Sequence, residues 1–310
     1  MNTADTPQGK SAEIPGETAP VPQSDPKLTR RKWFRRVAAT SAAVTAAILG
    51  DTFYIEPHWV EFVQRDLPIR HLPAHWQGKR LIQISDLHVG PRVSDAYLIE
   101  TFQRIAAWEP DIVVATGDYV TRQHKMGRDL LDQVQRVYAH LPPGKTATVG
   151  ILGNHDYGLH WADADLAWQV STVLTESGLH LLRNESVRLN GLTVVGLDDL
   201  WASRCDGAAA FAGTSADGAR LALCHNPDAA DQDHWADFEG WILSGHTHGG
   251  QCKPPFLPPP LLPVANSRYT AGEFELPGER RIYINRGLGH LRPVRFNCRP
   301  EVTVFRLVTS

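Results

Sequence analysis

Short apolar runs alternate with longer amphipathic stretches along most of this 310-residue chain, and this alternation limits the folds open to it. Eight of the apolar runs, several rich in Val and Ile, predict mostly buried strands. They are Arg80–Ser85, Asp111–Thr116, Thr146–Leu152, Leu192–Leu197, Arg220–Cys224, Gly240–Ser244, Arg281–Asn285 and Glu301–Val308. Helical patterns lie between several of them, at Asp95–Trp108, Arg128–His140, Trp161–Gly178 and Pro227–Trp235. The alternation predicts an α/β fold in which helices cover the faces of sheets.

Composition divides the chain into four regions. Residues 1–28 are rich in Pro, Ser, Thr and charge, and we expect them to be disordered because they have almost nothing to bury. Residues 29–50 form a separate basic and apolar segment. Residues 51–78 are aromatic and irregular, and predict a connector that becomes an edge strand near Val60–Leu67. Residues 79–310 form one main domain, since their number suits a single core.

The segment at residues 29–50 predicts a targeting signal rather than part of the core. The basic stretch Thr29–Arg36 contains the pair Arg30-Arg31, and a weakly hydrophobic, Ala-rich run follows from Val37 to Gly50. This order resembles a bacterial twin-arginine export signal. The run is shorter than the about 20 residues that a spanning helix needs. An uncleaved anchor and a basic amphipathic tail lying on a membrane are the alternatives. We therefore expect an exported protein, periplasmic or on the outer face of the cytoplasmic membrane, that uses the twin-arginine machinery.

The charge argues against a nucleic-acid-binding protein, and the cysteine spacing argues against a zinc-knuckle or redox protein. The net charge is −3, and residues 1–50 hold seven Lys/Arg and four Asp/Glu, so residues 51–310 carry −6. A body of that charge predicts no nucleic-acid partner. The four cysteines show no C-x-x-C spacing, which indicates neither a zinc knuckle nor a redox pair. Disulfide pairing cannot be read from their positions.

Polar residues follow five of the predicted strands directly. The segments are Ser85-Asp86-Leu87-His88, Gly117-Asp118-Tyr119, Gly153-Asn154-His155-Asp156, Cys224-His225-Asn226-Pro227 and Gly245-His246-Thr247-His248-Gly249-Gly250. Each alone is equally compatible with a turn or a helix cap. Ligands at the carboxyl ends of strands are typical of sites in α/β sheets, and the five together predict a metal site. Imidazole, carboxylate and amide oxygen suit Mn²⁺, Fe or Zn²⁺ without a thiolate.

This ordered set resembles the calcineurin-like metallophosphoesterases over residues 79–308. It is similar in particular to a branch of exported or membrane-associated bacterial phosphodiesterases. In that branch the Gly-His-Thr-His-Gly-Gly-Gln segment precedes a Pro-rich loop and then Tyr283–Gly289, and Arg295–Glu301 fits as well. The resemblance implies a four-layer αββα sandwich with two mixed β-sheets and a dinuclear metal site at the strand ends.

The resemblance also implies residue roles. Asp86, His88 and His248 would bind one divalent ion, and Asn154, His225 and His246 the other, with Asp118 bridging the two. A metal-bridging hydroxide would attack the phosphorus in line. His155 would stabilise the phosphoryl charge or protonate the leaving oxygen, which needs an acid with a pKa near the working pH.

One position departs from the Ser/Thr phosphatase pattern. Thr121 stands where that branch has the Asp that pairs with the Gly-Asn-His histidine, which argues against a protein phosphatase. The orienting partner of His155 is thereby unidentified, with Asp156 as a conjecture. Arg122 is a candidate phosphate clamp or an ordinary exposed arginine. His290, after a Gly-Leu-Gly turn, is a candidate contact to a substrate head group or a structural residue.

Two further features lie near the predicted ligands. Cys224 and Cys252 adjoin ligand segments, and packing is the favoured interpretation for both. The Pro-rich stretch Pro254–Pro263 carries Phe256, Leu257, Leu261 and Leu262, and predicts either a rigid wall or a surface that receives an acyl chain or the bilayer.

The resulting expectation is a hydrolase of phosphate esters. A phosphodiester of the envelope, or one linked to lipid, is the favoured substrate, and contact with a membrane surface is expected. A broad phosphomonoesterase is the second enzymatic interpretation. A catalytically inert, metal-stabilised envelope binding protein is the alternative from another class.

Overall fold

A computed structural model describes Met1, residues 29–121 and residues 128–310. The chain separates into two compact units, Met1–Ala46 and Ala47–Ser310. The disorder predicted for residues 1–28 concerns positions that lie, Met1 apart, outside the described residues.

Helix α1 runs from Arg30 to Gly50, and its side chains are exposed. Among the described residues, the helical stretch Arg30–His58 is long and apolar enough to cross a membrane, a test that N-terminal signal sequences also pass. The apolar run of residues 37–50 is shorter than a membrane span. The helical stretch reaches that length because it continues on both sides of the run.

In the described part of the chain, twelve strands form two six-stranded sheets. The strands are β1 (Glu61–Ile69), β2 (Arg80–Ile84), β3 (Ile112–Thr116), β4 (Ala147–Ile151), β5 (His180–Leu181), β6 (Glu185–Leu189), β7 (Leu192–Gly196), β8 (Ala219–Leu223), β9 (Gly240–Ser244), β10 (Gly272–Leu276), β11 (Arg280–Ile284) and β12 (Glu301–Thr309). Sheet one has the order β1-β12-β2-β3-β4-β5, and sheet two has β10-β11-β9-β8-β7-β6. Both contain parallel and antiparallel pairs, which confirms the predicted α/β fold with two mixed sheets.

Alternate residues of one buried strand enter different cores, because successive side chains point to opposite faces of a sheet. In β3, Ile112 and Val114 pack in the core between the two sheets, while Val113 and Ala115 pack under the outer helices. In sheet two, Leu221 faces the same middle core and Ala222 faces a third, outer core. The strands are therefore covered on both faces, as their uninterrupted apolar sequences predict.

Helices complete the four layers. Three of them cover the outer face of sheet one, and a short helix and a 3-10 turn cover sheet two. They are α2 (Asp95–Ala106), α3 (Arg128–Tyr138), α4 (Ala164–Glu176), α5 (Gly207–Phe211) and the 3-10 turn Pro227–Asp231. This is the αββα sandwich that the resemblance implies.

Helix α4 begins three residues later than predicted. The Asp163 carboxylate accepts from the Leu166 N–H at 2.9 Å and caps the helix there. Trp161, expected in the first turn, instead has a φ of 57°. Gly178 follows the end of the helix with a φ of 91°, a conformation that glycine adopts without strain.

The predicted helix Pro227–Trp235 is wrong, since only a 3-10 turn at Pro227–Asp231 forms. The Asn226 side chain accepts from the Asp228 N–H. The Asp228 carboxylate in turn accepts from the Ala265 and Asn266 N–H groups. These polar bonds hold a turn where the apolar pattern alone predicts a helix.

Three strands have no counterpart among the predicted ones. β5 is two residues long, and β6 and β10 lie at sheet edges with charged residues on their open faces. Such strands lack the continuous apolar run by which buried strands are found.

The fold brings the polar segments to one place. Strands β2, β3 and β4 run parallel in sheet one, and β8 and β9 run parallel in sheet two. Four of these five strands end directly before one of the polar segments, and Leu152 alone separates β4 from its segment. The Gln83 side chain links the two sheets there, because its Nε2 donates to the Ser244 carbonyl at 2.9 Å.

Candidate metal centre

The candidate ligands lie in strained turns. Five of the seven have positive φ angles, between 50° and 71°; these are Asp86, His88, Asp118, His246 and His248. For residues with a Cβ this region is costly, and it persists where the surrounding structure over-determines it. The concentration of such residues at one edge of two sheets marks a functional site.

Asp86, His88 and His248 form a first group of ligand atoms, all within 4.8 Å of one another. The Nε2 atoms of His88 and His248 are 3.0 Å apart, and His248 Nε2 is 3.4 Å from Asp86 Oδ1. All three residues are buried. The group combines ligands from the turns after β2 and β9, and therefore from both sheets.

Asp118, His225 and His246 form a second group. His225 Nε2 lies 3.1 Å from Asn154 Oδ1 and 3.2 Å from His246 Nδ1. It is also 3.4 Å from Asp118 Oδ2. The amide oxygen of Asn154 thus joins the same cluster.

The Asp118 carboxylate lies between the two groups. Its Oδ2 is 3.4 Å from His225 Nε2 and 3.6 Å from His88 Nε2. Its Oδ1 accepts a hydrogen bond from the His155 N–H at 2.8 Å. One carboxylate therefore contacts a histidine of each group, which is the position of a bridging ligand.

Two carbonyls orient the histidines of the second group. Nδ1 of His225 lies 2.7 Å from the Thr116 carbonyl, and Nε2 of His246 lies 2.7 Å from the Pro263 carbonyl. A carbonyl only accepts, so the ring nitrogen facing it carries hydrogen and donates. The other nitrogen of each ring then faces the cluster, as in metal-binding histidines.

The Asp156 carboxylate organises the neighbouring loops. Its Oδ1 accepts from the N–H groups of Tyr119 and Val120, and its Oδ2 from those of Asp118 and Gly153, at 2.8 to 3.2 Å. A carboxylate offers about four lone-pair sites, and the four N–H groups use them. Asp156 therefore fixes the turn that carries Asp118, and its orientation of the His155 ring stays a prediction.

Glycine is required where two ligand turns meet. A Cβ at Gly245 would overlap the side chains of Ser85 and Asp86. A Cβ at Gly153 would lie 2.5 Å from the Asp118 backbone nitrogen. The glycines that flank the ligands in the sequence thus allow turns from different strands to approach closely.

Burial sets the charge of most of the cluster. It lowers the pKa of His88 and of His246 to about 3, and holds the pKa of His248 well below its usual value. Burial, with Asp118 among the further causes, raises the pKa of Asp86 to about 7. Neutral imidazole is the form that binds metal, so these three rings are in the required state at neutral pH.

His225 and Asp118 behave as an ion pair in the metal-free protein. Burial acts to lower the pKa of His225, but the carboxylates of Asp118, Asp86 and Asp199 raise it to about 10. Burial acts to raise the pKa of Asp118, but His225 and His155 bring it well below its usual value. A proton on His225 therefore supplies positive charge where a metal ion would otherwise supply it.

The donor set fits two divalent cations. Ring nitrogens and side-chain oxygens lie 3.0 to 3.6 Å apart in both groups, around two buried carboxylates. Cations between them would offset the burial of the Asp86 charge and its repulsion from Asp118, which raise the pKa of Asp86. Imidazole, carboxylate and amide oxygen suit Mn²⁺, Fe or Zn²⁺. Cys224 is not part of either group, and its Sγ donates to the Asn226 carbonyl, which agrees with a packing role.

His155 lies at the edge of the cluster. Its ring centroid is 4.8 Å from that of His88, and one of its ring nitrogens belongs to a third group with His88 and Asp118. Its backbone N–H holds Asp118, so the residue is fixed beside the candidate bridge. An imidazole here is within reach of a group bound across both metal positions.

The two candidate substrate residues fare differently. Arg122 lies outside the described residues. His290 is buried, with Nε2 3.1 Å from the Arg92 carbonyl and its ring against His58, and its contacts in the described structure include none of the candidate ligands. These contacts agree with the structural interpretation of His290.

Two tryptophans beside the site are absent from the sequence prediction. The indole of Trp161 is 5.2 Å from the ring of His155, that of Trp201 is 4.5 Å from His246, and the two indoles are 5.6 Å apart. Trp161 ends a 3-10 turn where the sequence predicts the start of α4, and Trp201 lies in a turn. They give the metal centre an aromatic border on the side of His155 and His246.

Residues 79–250 match the sequence profile of the calcineurin-like phosphoesterases. The chain belongs to this family. A relative from Escherichia coli, phosphodiesterase YaeI, is 32% identical over 291 residues, which are 91% of this chain and 100% of YaeI. The uncharacterised metallophosphoesterase YkuE of Bacillus subtilis is 31% identical, over 92% of this chain and 99% of its own length. UDP-2,3-diacylglucosamine pyrophosphatase LpxG of Chlamydia trachomatis is 28% identical, over 82% of this chain and 91% of its own.

The family expectation is therefore confirmed, and with it the class of reaction. The protein is a metallophosphoesterase, a hydrolase of phosphate esters that uses divalent metal ions. Its His and Asp groups are compatible with a two-metal site.

Proposed function

We propose that this metallophosphoesterase hydrolyses a phosphodiester at a dinuclear centre bridged by Asp118. The observation that carries the proposal is the position of Asp118 Oδ2, 3.4 Å from one histidine group and 3.6 Å from the other. In this assignment, Asp86, His88 and His248 hold one ion, and Asn154, His225 and His246 hold the other. When bound, the two ions activate a water molecule and neutralise the phosphate.

The protein's own residues do the remaining work. The hydrogen bonds that the His225 and His246 rings donate to the Thr116 and Pro263 carbonyls keep these ligands in one orientation. Little reorganisation is then needed when metal binds. His155, fixed beside Asp118, donates a proton to the leaving oxygen or a hydrogen bond to the phosphoryl oxygens. Trp161 and Trp201 exclude water from one side of the centre.

A lipid-linked phosphodiester or pyrophosphate is the proposed substrate class. Two of the relatives are named as a phosphodiesterase and as a pyrophosphatase of a diacylated sugar nucleotide. The exposed apolar residues of the loop Pro254–Pro263 agree with an acylated substrate.

Membrane attachment and export form a second part of the proposal. Helix α1, which begins with the pair Arg30-Arg31, supports delivery through the twin-arginine machinery, either as a cleaved signal or as an anchor. The working site is then the periplasm or the outer face of the cytoplasmic membrane. In this proposal residues 29–50 are the targeting signal, residues 51–78 are the connector with its edge strand, and residues 79–310 are the catalytic domain.

One assay separates the proposed activity from its alternatives. Metal-free protein is loaded with Mn²⁺, Fe²⁺ or Zn²⁺ and given bis-p-nitrophenyl phosphate and p-nitrophenyl phosphate in parallel. We expect turnover of the diester to exceed that of the monoester. A preference for the monoester would assign a phosphomonoesterase, and bound metal without turnover of either would assign a binding protein.

A further inference from the structure

The loop Pro254–Pro263, here named the proline loop, contacts the metal-ligand turn Gly245–Gly250 at two points. Cys252 and Lys253 separate it from His248–Gln251, and within it Pro259 packs against Gly250, where a Cβ would overlap its ring. At its far end the Pro263 carbonyl accepts from His246 at 2.7 Å. The loop is thus held against the candidate metal centre at Pro259 and Pro263, and Phe256, Leu257 and Leu261 form its exposed tip.

The tip of the proline loop is apolar and exposed. Phe256 is fully exposed, and Leu257 and Leu261 are 62% and 80% exposed. Phe256 also has a φ of 66°, a costly conformation for a bulky residue. Prolines on both sides restrict the backbone, so the loop presents these side chains without a large ordering cost. A strained backbone that exposes three large apolar side chains needs an apolar partner.

The segment Thr52–Trp59, here named the helix root, follows α1 and is hydrogen-bonded to residues 295–298. The Glu56 carboxylate accepts from the N–H groups of Asn297 and Cys298, and the Thr52 carbonyl accepts from Arg295 at 3.0 Å. Glu56 follows the end of α1 by only a few residues. Thr52 and Glu56 are therefore hydrogen-bonded to residues 295–298 within the unit Ala47–Ser310.

Segment 295–299 connects that root to the proline loop. The Phe296 carbonyl accepts from the Lys253 N–H at 2.8 Å, and its N–H donates to the Gln251 carbonyl at 2.9 Å. Cys298 Sγ contacts the His248 carbonyl at 3.3 Å. The helix root, the proline loop and a candidate metal ligand thus belong to one hydrogen-bonded unit.

The surroundings of the tip suit an anionic bilayer. Lys253, at the start of the loop, is exposed, and so is Arg292, whose carbonyl accepts from Gln251 Nε2 at 3.1 Å. At the helix root, Tyr54 and Trp59 are exposed as well. Aromatic and aliphatic side chains beside basic ones are the pattern of surfaces that lie in the interface of a membrane.

We propose that Phe256, Leu257 and Leu261 insert into the bilayer, and so place the mouth of the metal centre at the membrane surface. This inference rests on the proposed function, because it gives a lipid-linked phosphodiester a short path from the bilayer to the metal ions.

Fluorescence tests the insertion without reference to activity. Leu257→Cys is introduced into the full chain with Cys205→Ser and Cys252→Ser, labelled with an environment-sensitive dye, and reconstituted with phosphatidylglycerol–phosphatidylcholine vesicles. Trp168→Cys, at a site 66% exposed on helix α4, is the matched control. We expect the dye at position 257 to shift to shorter emission wavelength and the dye at 168 to keep its aqueous spectrum. An aqueous spectrum at both positions would overturn the proposal.

A kinetic test follows the substrate. The triple variant Phe256→Ser, Leu257→Ser, Leu261→Ser is compared with the natural chain on bis-p-nitrophenyl phosphate and on a diacylglycerol p-nitrophenyl phosphodiester in vesicles. We expect the ratio of kcat/KM on the vesicle substrate to that on the soluble one to fall at least tenfold, while Trp168→Ser leaves this ratio as it was. An unchanged ratio in the triple variant, or a detergent-stable dimer that the triple variant abolishes, would overturn membrane insertion.

The two proposals can fail separately. If the dye at position 257 enters the bilayer but neither phosphodiester is cleaved, the membrane contact stands and the proposed activity is wrong. If bis-p-nitrophenyl phosphate is cleaved and the dye stays aqueous, the activity stands and the insertion is wrong.

Discussion

Asp156→Asn should unfold the protein more easily, although the change is nearly isosteric. The carboxylate accepts four backbone N–H groups, two on each oxygen. An asparagine amide keeps one oxygen and places an NH₂ group against the other pair, so two N–H groups lose their acceptor in either orientation. Each hydrogen bond to a charged group contributes about 1.5–3 kcal/mol, so we expect the free energy of unfolding to fall by about 3–6 kcal/mol.

The expected fall in the free energy of unfolding applies to the ionised form of Asp156. Burial and the Asp118 charge raise the pKa of Asp156 well above its usual value, although the N–H groups of Gly153 and Val120 act to lower it. An acid proton on either oxygen would point at one of the four N–H groups that donate to the pair. These four donors therefore hold Asp156 as a carboxylate.

Urea unfolding of the metal-free full chain measures the effect, with the midpoint and the m-value recorded together. Asp163→Asn is the matched control, because Asp163 caps helix α4 through one bond and asparagine caps helices about as well. We expect that variant to lie within about 0.5 kcal/mol of the natural chain. Because Asp156 also holds the turn of Asp118, metal affinity should fall about 10- to 100-fold in Asp156→Asn. A loss of stability below about 1 kcal/mol would refute the assigned role.

The remaining predictions concern the metal centre and the targeting signal. Asp118→Asn should remove both metal ions and activity, as measured by elemental analysis and diester hydrolysis; full metal content in an inactive variant would contradict the bridging position. His155→Ala should keep its metal while kcat falls by about 10²–10⁴, and equal metal loss would reassign the residue as a ligand. Metal should bind more weakly at pH 6 than at pH 8.5, because the proton that the carboxylates hold on His225, with a pKa raised to about 10, must leave on binding. The same raised pKa makes the contribution of His225 to the stability of the metal-free protein complete below about pH 6.5, and this contribution is lost as the pH rises through about 10. Calorimetry that detects no proton release on metal binding at pH 8 would refute the raised pKa of His225. Changing the Arg30–Arg31 pair to Lys-Lys should stop export, and unchanged delivery to the periplasm would exclude the twin-arginine route.

The metal groups could be anticipated because their positions depend on strand ends. Asp86, Asp118 and Asn154 follow parallel strands of sheet one, and parallel strands bring their carboxyl ends to the same edge. His225 and His246 follow strands of sheet two in the same way. An apolar run followed by a short polar segment is enough to predict that arrangement.

Other parts of the site depend on directions that no pattern records. The Asp156 carboxylate accepts from backbone N–H groups, whose orientation depends on the φ angles of the turn. Trp161 reaches the centre because the chain turns at a residue where the sequence predicts the start of a helix, and Trp201 reaches it from a turn. The predicted helix after Asn226 failed for a related reason, because the long-range bonds of Asp228 outweigh local preference.

The division of the candidate ligands between the two sheets has a consequence for folding. Asp86, His88, Asp118 and Asn154 follow strands of sheet one, while the other three histidines follow strands of sheet two. In this assignment, each ion would add a cross-link between two sheets that are also joined by apolar packing and by the Gln83–Ser244 hydrogen bond. A ligand that binds only the folded state stabilises it by about 2.7 kcal/mol at a hundredfold excess over its Kd. Scarcity of metal would then lower the amount of the protein as well as its rate, since unloaded copies unfold and are degraded first.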